Sequence, residues 1–270
     1  MAIAAITLNA PRVRSGRDVA IIHWKETKYE FWKYIRLPLY CLVTILFPVM
    51  FYILFGLLMN RGDRMGSTNV GAYLIATFGT YGVMGAALYA NGAGVATERG
   101  LGWMQVKRAS PMPPSAYFVA KFAVSMIFSA LTVLTLLAVG AVFGGVNIAF
   151  ANAVQLVVTL VVGAIPFCAL GLVIGCFAGP NSAAAMVNLI YLPLSFASGL
   201  FFPITAMPKF MQKLAPVLPP YHLAQLALRL VGAWTSGSVW SHWQALIGFT
   251  FVFLGVAALG FERDRGKMYG

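Results

Sequence analysis

The sequence predicts an all-α integral membrane protein, and three observations carry that prediction. The 270 residues are 60% hydrophobic and only 10% charged, with a mean hydropathy of +0.81. A soluble domain carries about a quarter charged residues, so this much apolar surface needs a lipid solvent. The apolar residues also fall in blocks of about twenty, the length that crosses a bilayer as a helix. Finally, the 19 Lys and Arg outnumber the 7 Asp and Glu, giving a net charge of +12. They lie between the apolar blocks, not in a patch with interleaved aromatics. That pattern fits orientation of membrane spans and not nucleic-acid binding.

Residues 1–37 are expected to form a cytoplasmic tail and an interfacial helix. "MAIAAITLNAPRVRSGR" places its charges after a weak apolar run and lacks a long apolar core, so it does not read as a signal peptide. "IIHWKETKYEFWKYIR", 21–36, has helical periodicity. Ile21, Trp24, Phe31, Trp32 and Ile35 share one face, and Lys25, Glu26, Glu30, Lys33 and Arg36 the other. Two placements fit: a helix in the inner interface with its Trp rings at headgroup level, or a helix packed on a partner protein.

Residues 38–260 hold six expected spans, at about 38–59, 70–95, 122–143, 153–177, 183–202 and 242–260. With the N-terminus inside, the 19 Lys and Arg divide 14 to five in favour of the inner segments. Arg12, Arg14, Arg263, Arg265 and Lys267 are among the 14. The split predicts a multi-pass protein of the cytoplasmic (inner) membrane with both termini in the cytoplasm, 261–270 being the second tail. Gly171, Gly175 and Gly179 recur at four-residue spacing, as do Gly140 and Gly144; such spacing supports close helix packing rather than a specific dimer face.

Several chemistries are excluded. The acids are Asp18, Glu26, Glu30, Asp63, Glu98, Glu262 and Asp264, and none sits in the middle of an expected span. That argues against ion-coupled transport, although carbonyls of a broken helix remain an alternative sodium site. Cys41, Cys168 and Cys176 lie in apolar runs and read as buried hydrophobes, with no disulfide or metal implied. His23, His222 and His242 are far apart in the chain and form no HExxH motif. "FASG", 196–199, lacks the leading Gly of a serine-protease GxSG. Gly266-Lys267 has Phe261 and Met268 where a P-loop needs Gly and a hydroxyl. The chain therefore reads as a non-enzyme with no cofactor of its own.

The loop "ATERGLGWMQVKRASPMPPSAYFVAK", 96–121, opens with Glu98-Arg99 directly after the second span. Leu101, Trp103, Met104 and Val106 follow, mixed with Lys107 and Arg108, and Ser110-Pro111 and Pro113-Pro114 stop the segment. This predicts a short surface helix tied to two spans, able to carry force from a cytoplasmic partner. An ordinary basic inner loop is the alternative.

In order along the chain, these features resemble the membrane subunits of type 2 ABC exporters, the ABC-2 type permeases, in a bacterial multidrug or natural-product exporter-like form. The resemblance rests on the helix before the first span, on "TERGLGWMQVKRASPMPPSAYFVAKF", on "FAGPNSAAAMVNLIYLPLSFASGLFFPITAMPKF" and on "APVLPPYHLAQL". It covers about 20–260 and is strong over 96–225. Many members carry a second acid soon after the Glu-Arg pair, where this chain has Gly100 and Gly102.

The resemblance implies a six-span subunit that pairs with a second permease, identical or not. The pair sits on two ABC ATPase subunits, which hold ATP and Mg. Glu98, Arg99, Leu101, Trp103, Met104, Lys107, Arg108 and Pro111 would form the coupling segment on the ATPase. The cargo would be a small amphiphile, such as a drug, an antibiotic or a lipid-like molecule, moved out of the cytoplasm or inner leaflet. Five of the 14 prolines fall in 198–220, and this stretch is expected to form a re-entrant helical hairpin in the outer leaflet between spans five and six. Phe201, Phe202, Pro203, Met207 and Pro208 would build an outer gate, unless the hairpin only seals the fold. Asn188, Tyr191, Ser195 and Ser198 are candidates for polar contacts along the path, and helix–helix hydrogen bonding explains them equally well. An ATP-independent channel or lipid scramblase with a similar bundle is the alternative function.

Overall fold

The computed structural model describes residues 16–65, 68–110 and 112–266. Expectations for the tails at 1–15 and 267–270, with Arg12, Arg14 and Lys267, lie outside the described residues, as do Pro111 and the side chains of Arg108, Arg263 and Arg265.

Helix α1 spans Gly16–Ile35. Then come α2, Pro38–Leu58, and α3, Val70–Gly100, joined through an antiparallel hairpin of β1, Arg64–Met65, and β2, Thr68–Asn69. Helix α4, Trp103–Ala109, leads into α5, Pro114–Gly144. Helices α6, Phe150–Val162, and α7, Ile165–Phe177, form one broken rod. The chain continues through α8, Ala183–Ala197, α9, Lys209–Leu214, α10, Pro219–Leu230, and α11, Val239–Gly266.

Among the described residues, five stretches are long and apolar enough to cross a membrane: α2, α3, α5, the α6–α7 rod, and α11 as far as Glu262. The sixth expected span is the short α8. Its 15 residues reach only ~22 Å at 1.5 Å per residue, against a hydrocarbon core of about 30 Å. The sequence expectation ran this helix to 202. It stops at Ala197 because Gly199 takes a left-handed φ of 78°. The Leu200 N–H then donates to the Ser195 carbonyl and the Gly199 N–H to the Phe196 carbonyl, a Schellman cap that satisfies the last carbonyls.

Helix α3 is the axis of the bundle, with 89% of its most apolar window buried, against 17% for α11. Small residues make this possible. A Cβ on Gly82 would meet Thr132 of α5 and Pro48 of α2, and one on Gly85 would meet the Tyr191 hydroxyl of α8. Three neighbours therefore approach one helix closely. The expected four-residue glycine ladder works inside the subunit: a Cβ on Gly171 or Gly175 would strike α3 at Asn91 or Val95.

Helix α5 begins eight residues before the expected span, so Lys121, read as loop, is a helical residue with no exposed surface. The α6–α7 break falls at Gly163–Ala164, where Pro166 near the start of α7 suits a fresh helix N-terminus.

Candidate functional site

The features that set this chain apart from a bare apolar bundle collect where α1, the end of α3, α4 and the start of α5 meet. The sequence reading turned the charged face of α1 outward. The structure turns it inward. Glu30 and Tyr34 are buried, while Trp24 and Tyr29 are 70% and 69% exposed. The inward acid has a reason to be there, because it meets two lysines.

The Lys121 ammonium donates to Glu98 Oε1 at 2.7 Å and to the Tyr34 hydroxyl at 3.0 Å, and it pairs with Glu30. All three of its donors are thus used. Lys33 donates to Glu30 at 2.7 Å and also pairs with Glu98. The Tyr117 hydroxyl donates to the other Glu98 oxygen at 2.7 Å. The Tyr34 hydroxyl in turn donates to the Ala90 carbonyl at 2.8 Å, and burial pushes its phenol well above the ordinary value. Two carboxylates and two ammonium groups balance, so the cluster is electrically neutral, as buried charge must be. Gly94 leaves the room it needs, since a Cβ there would collide with the Tyr34 hydroxyl.

Arg99, the next residue along, reaches the other way. Its guanidinium binds the Cys176 carbonyl and, at 2.9 Å, the Ala178 carbonyl. These lie at the C-terminal end of α7, where unpaired carbonyls favour a cation. Gly100 packs against Pro180 with no space for a side chain. Gly102 makes the turn into α4 at a φ of 75°. The glycines therefore stand where contact and backbone geometry admit little else.

Helix α4 is held and presented at once. Lys107 pairs with Glu26 of α1 and lies 4.5 Å from the centre of the Tyr117 ring. Met104 packs against a small cluster around Val95, Tyr117, Leu172 and Ala257. On the opposite face Leu101, Trp103 and Val106 are 69%, 53% and 61% exposed. Of the six described side chains expected to couple to a partner, Leu101 and Trp103 turn outward. Glu98, Arg99, Met104 and Lys107 turn inward and hold the segment; Arg108 and Pro111 fall under the limits given above. Sequence reasoning missed Glu30, Lys33, Tyr34, Tyr117 and Lys121 as one group. The available signal was charge pairing: the acids of 26–30 and 98 needed cationic partners, and Lys121 stood at the edge of an apolar run.

The expected path residues of α8 share the face that turns toward α3, where helix contacts occupy them. Tyr191 and Ser195 are buried against α3, the Tyr191 hydroxyl donating to the Tyr81 carbonyl at 2.8 Å and its ring stacking on Tyr81 at 4.4 Å. Asn188 keeps exposed surface and accepts from the Tyr89 hydroxyl of α3 at 2.6 Å. Ser198 is buried beside a cavity of about 300 Å³ that Gln225 and Trp234 also line. The expected gate residues separate too. Phe201 sits among Phe51, Phe78, Tyr81 and Phe196, with ring centres 4.4 to 5.8 Å away. Phe202 is 49% exposed, and Pro203, Met207 and Pro208 lie near the surface around a single turn, Ile204–Ala206. Gln212 bonds the Met207 carbonyl at 2.7 Å and so closes that turn on α9.

The family model for the ABC-2 type transporter matches residues 24–231, from Trp24 of α1 to Val231 just past α10. A Bacillus subtilis (strain 168) protein named "Putative transport permease YvfS" is 25% identical over 232 residues, 85% of this chain and 93% of that protein.

Proposed function

Since this chain belongs to the ABC-2 type transporter family, we propose that it is the membrane-spanning permease subunit of an ATP-driven exporter whose ATPase is a separate chain. The observation that carries the reading is the build of α4. Leu101 just before it and its own Trp103 and Val106 offer an apolar outer face to a partner, while Glu98 and Arg99 at the adjoining end of α3, with Lys107 of α4, fasten this corner to α5, α7 and α1. A partner that moves α4 moves three helices together. Glu98 and Arg99 thus act as positioning residues, and Leu101 and Trp103, with Arg108 and Pro111, as the contact.

In this proposal the α1–α4 end faces the cytoplasm, in keeping with its basic residues. The short α8 counts as the sixth span, completed by the 203–218 segment as a re-entrant hairpin in the outer leaflet. Irregular backbone at that depth needs protein around it, which a second permease copy supplies. Two ATPase subunits, bearing ATP and Mg, drive the pair. The cargo is a small amphiphile, a reading supported by the short connections between helices. Phe201 and Phe202 mark the gate region, with Asn188 and Ser198 as the polar groups nearest the path.

Purification of the full chain from its native membranes tests this. An ABC ATPase should come with it, and Trp103→Ala should release that partner while leaving the permease folded. Cargo movement without ATP and without such a partner would point instead to a channel or scramblase.

A further inference from the structure

At the opposite end of the bundle, His222 of α10 and His242 of α11 meet ring to ring. Their Nδ1 atoms are 2.9 Å apart. His222 Nε2 lies 2.9 Å from the Pro216 carbonyl oxygen, and His242 Nε2 lies 2.7 Å from the Ser236 carbonyl oxygen. A carbonyl only accepts, so each Nε2 carries a hydrogen. A neutral imidazole has one N–H. With both rings neutral, two Nδ1 lone pairs would face each other at hydrogen-bond distance. The contact is attractive only when a third proton lies between them. We propose that His222 and His242 form a proton-binding site, in which one excess proton is shared by the two Nδ1 atoms.

The surroundings supply no other partner for that charge. There is no acidic residue on α10, on the Ala215–Val217 turn, on α6 or α7, or in the 231–238 loop, and Glu98, the acid of α3, is engaged by Lys33 and Lys121 at the far end of that helix. Glu262 is 20 residues further along α11, about 30 Å away at 1.5 Å per residue. Arg229 is the basic group of α10, two turns from His222. Besides Glu98 and Arg99 at the far end of α3, the titratable groups of α3 and α7 are Tyr73, Tyr81, Tyr89, Cys168 and Cys176, which are neutral near pH 7. Tyr221 stands close to edge-on to both imidazoles and turns its hydroxyl to Ser236. Phe249 lies 6.4 Å from His222, and His242 is only 6% exposed. The N–H···N bond therefore holds the proton, and a second proton would place two like charges in contact.

The pair joins specific elements. His222 grips Pro216, where the re-entrant segment ends, and His242 grips Ser236, just before α11. The singly protonated pair ties these together; loss of its proton, or gain of a second, separates them. This site stands apart from the transport reading and does not depend on it.

The test is nitrogen-15 NMR of histidine-labelled full-length chain in lipid nanodiscs, from about pH 5 to 9, the range in which imidazoles titrate. His23, which bonds the Val19 carbonyl and Ser115, is the internal reference. The expected spectrum near neutral pH has three protonated nitrogens on the paired rings and one proton correlated with both Nδ1 atoms. In His242→Gln that resonance should vanish and His222 should titrate alone, with His23 unchanged as the sign of an intact fold. Two neutral rings throughout pH 6–8, or a His222 signal indifferent to His242→Gln, would overturn the proposal. So would loss of the shared proton on adding zinc ion and its return with a chelator, since the site would then be a metal site.

Discussion

The Lys121 ammonium lies 2.7 Å from the Glu98 carboxylate with no surface of its own exposed, and this contact joins the end of α3 to the start of α5. Removing one partner strands a buried charge, which costs about 3–5 kcal/mol. Lys121→Met and Glu98→Gln should each lower the melting temperature of the purified chain sharply. The double variant should lose less than the sum, because Glu30 and Lys33 remain as a pair. Additive losses measured by thermal unfolding would contradict a shared cluster.

The exposed face of α4 should behave oppositely. Leu101→Ala and Trp103→Ala touch little of the fold, so melting should shift by no more than about 0.5 kcal/mol. Binding of the ATPase should fall at least tenfold, about 1.4 kcal/mol, as expected for an aromatic anchor. Titration of the partner by a pull-down or by fluorescence reads this directly.

Close packing of α7 on α3 predicts a graded glycine series. A Cβ on Gly175 would lie 2.7 Å from the Asn91 carbonyl oxygen, whereas the nearest atom to one on Gly179 is Ser182 Oγ at 3.4 Å. Gly175→Leu should cost ~1–3 kcal/mol or more through overpacking, and Gly179→Ala should be nearly silent. Equal melting temperatures for the two variants would show that α7 does not press on α3.

His222 sets a pH dependence. Burial, and then the charge on His242, hold it below its ordinary value of 6.5. A base so depressed binds fewer protons when folded than when unfolded, so its contribution to stability is lost as the pH falls below about 6.5, the step at which the pair gains a second proton. Melting curves at pH 6.5 and 5.5 should show the drop, and His222→Gln should reduce it.

How far the sequence reached depends on what each element answers to. The long spans were readable because lipid imposes length and hydrophobicity one residue at a time: α2, α3 and α5 all lie within a few residues of expectation or longer. The early end of α8 was not, since it depends on the backbone of Gly199 rather than on the apolar run through Phe202. The helical periodicity of α1 was visible, but which face turns inward was decided by Lys121, ninety residues away. For the candidate site, Leu101 and Trp103 were legible as an exposed stripe. Glu98 and Arg99 were legible as special and misplaced at the surface, because a charge next to a span looks the same whether it meets water or a buried counter-charge.

The near-complete burial of α3 has a consequence for how the protein meets membranes of different thickness. A mismatch between helix length and hydrocarbon depth is met by tilt of the helices that touch lipid. Helix α3 is screened by its neighbours, while α11 has most of its surface on the outside. A thicker or thinner bilayer therefore re-tilts the periphery first. The axis that carries Glu98 and Arg99 keeps its inclination, so the geometry of the ion cluster at its end is insulated from lipid composition.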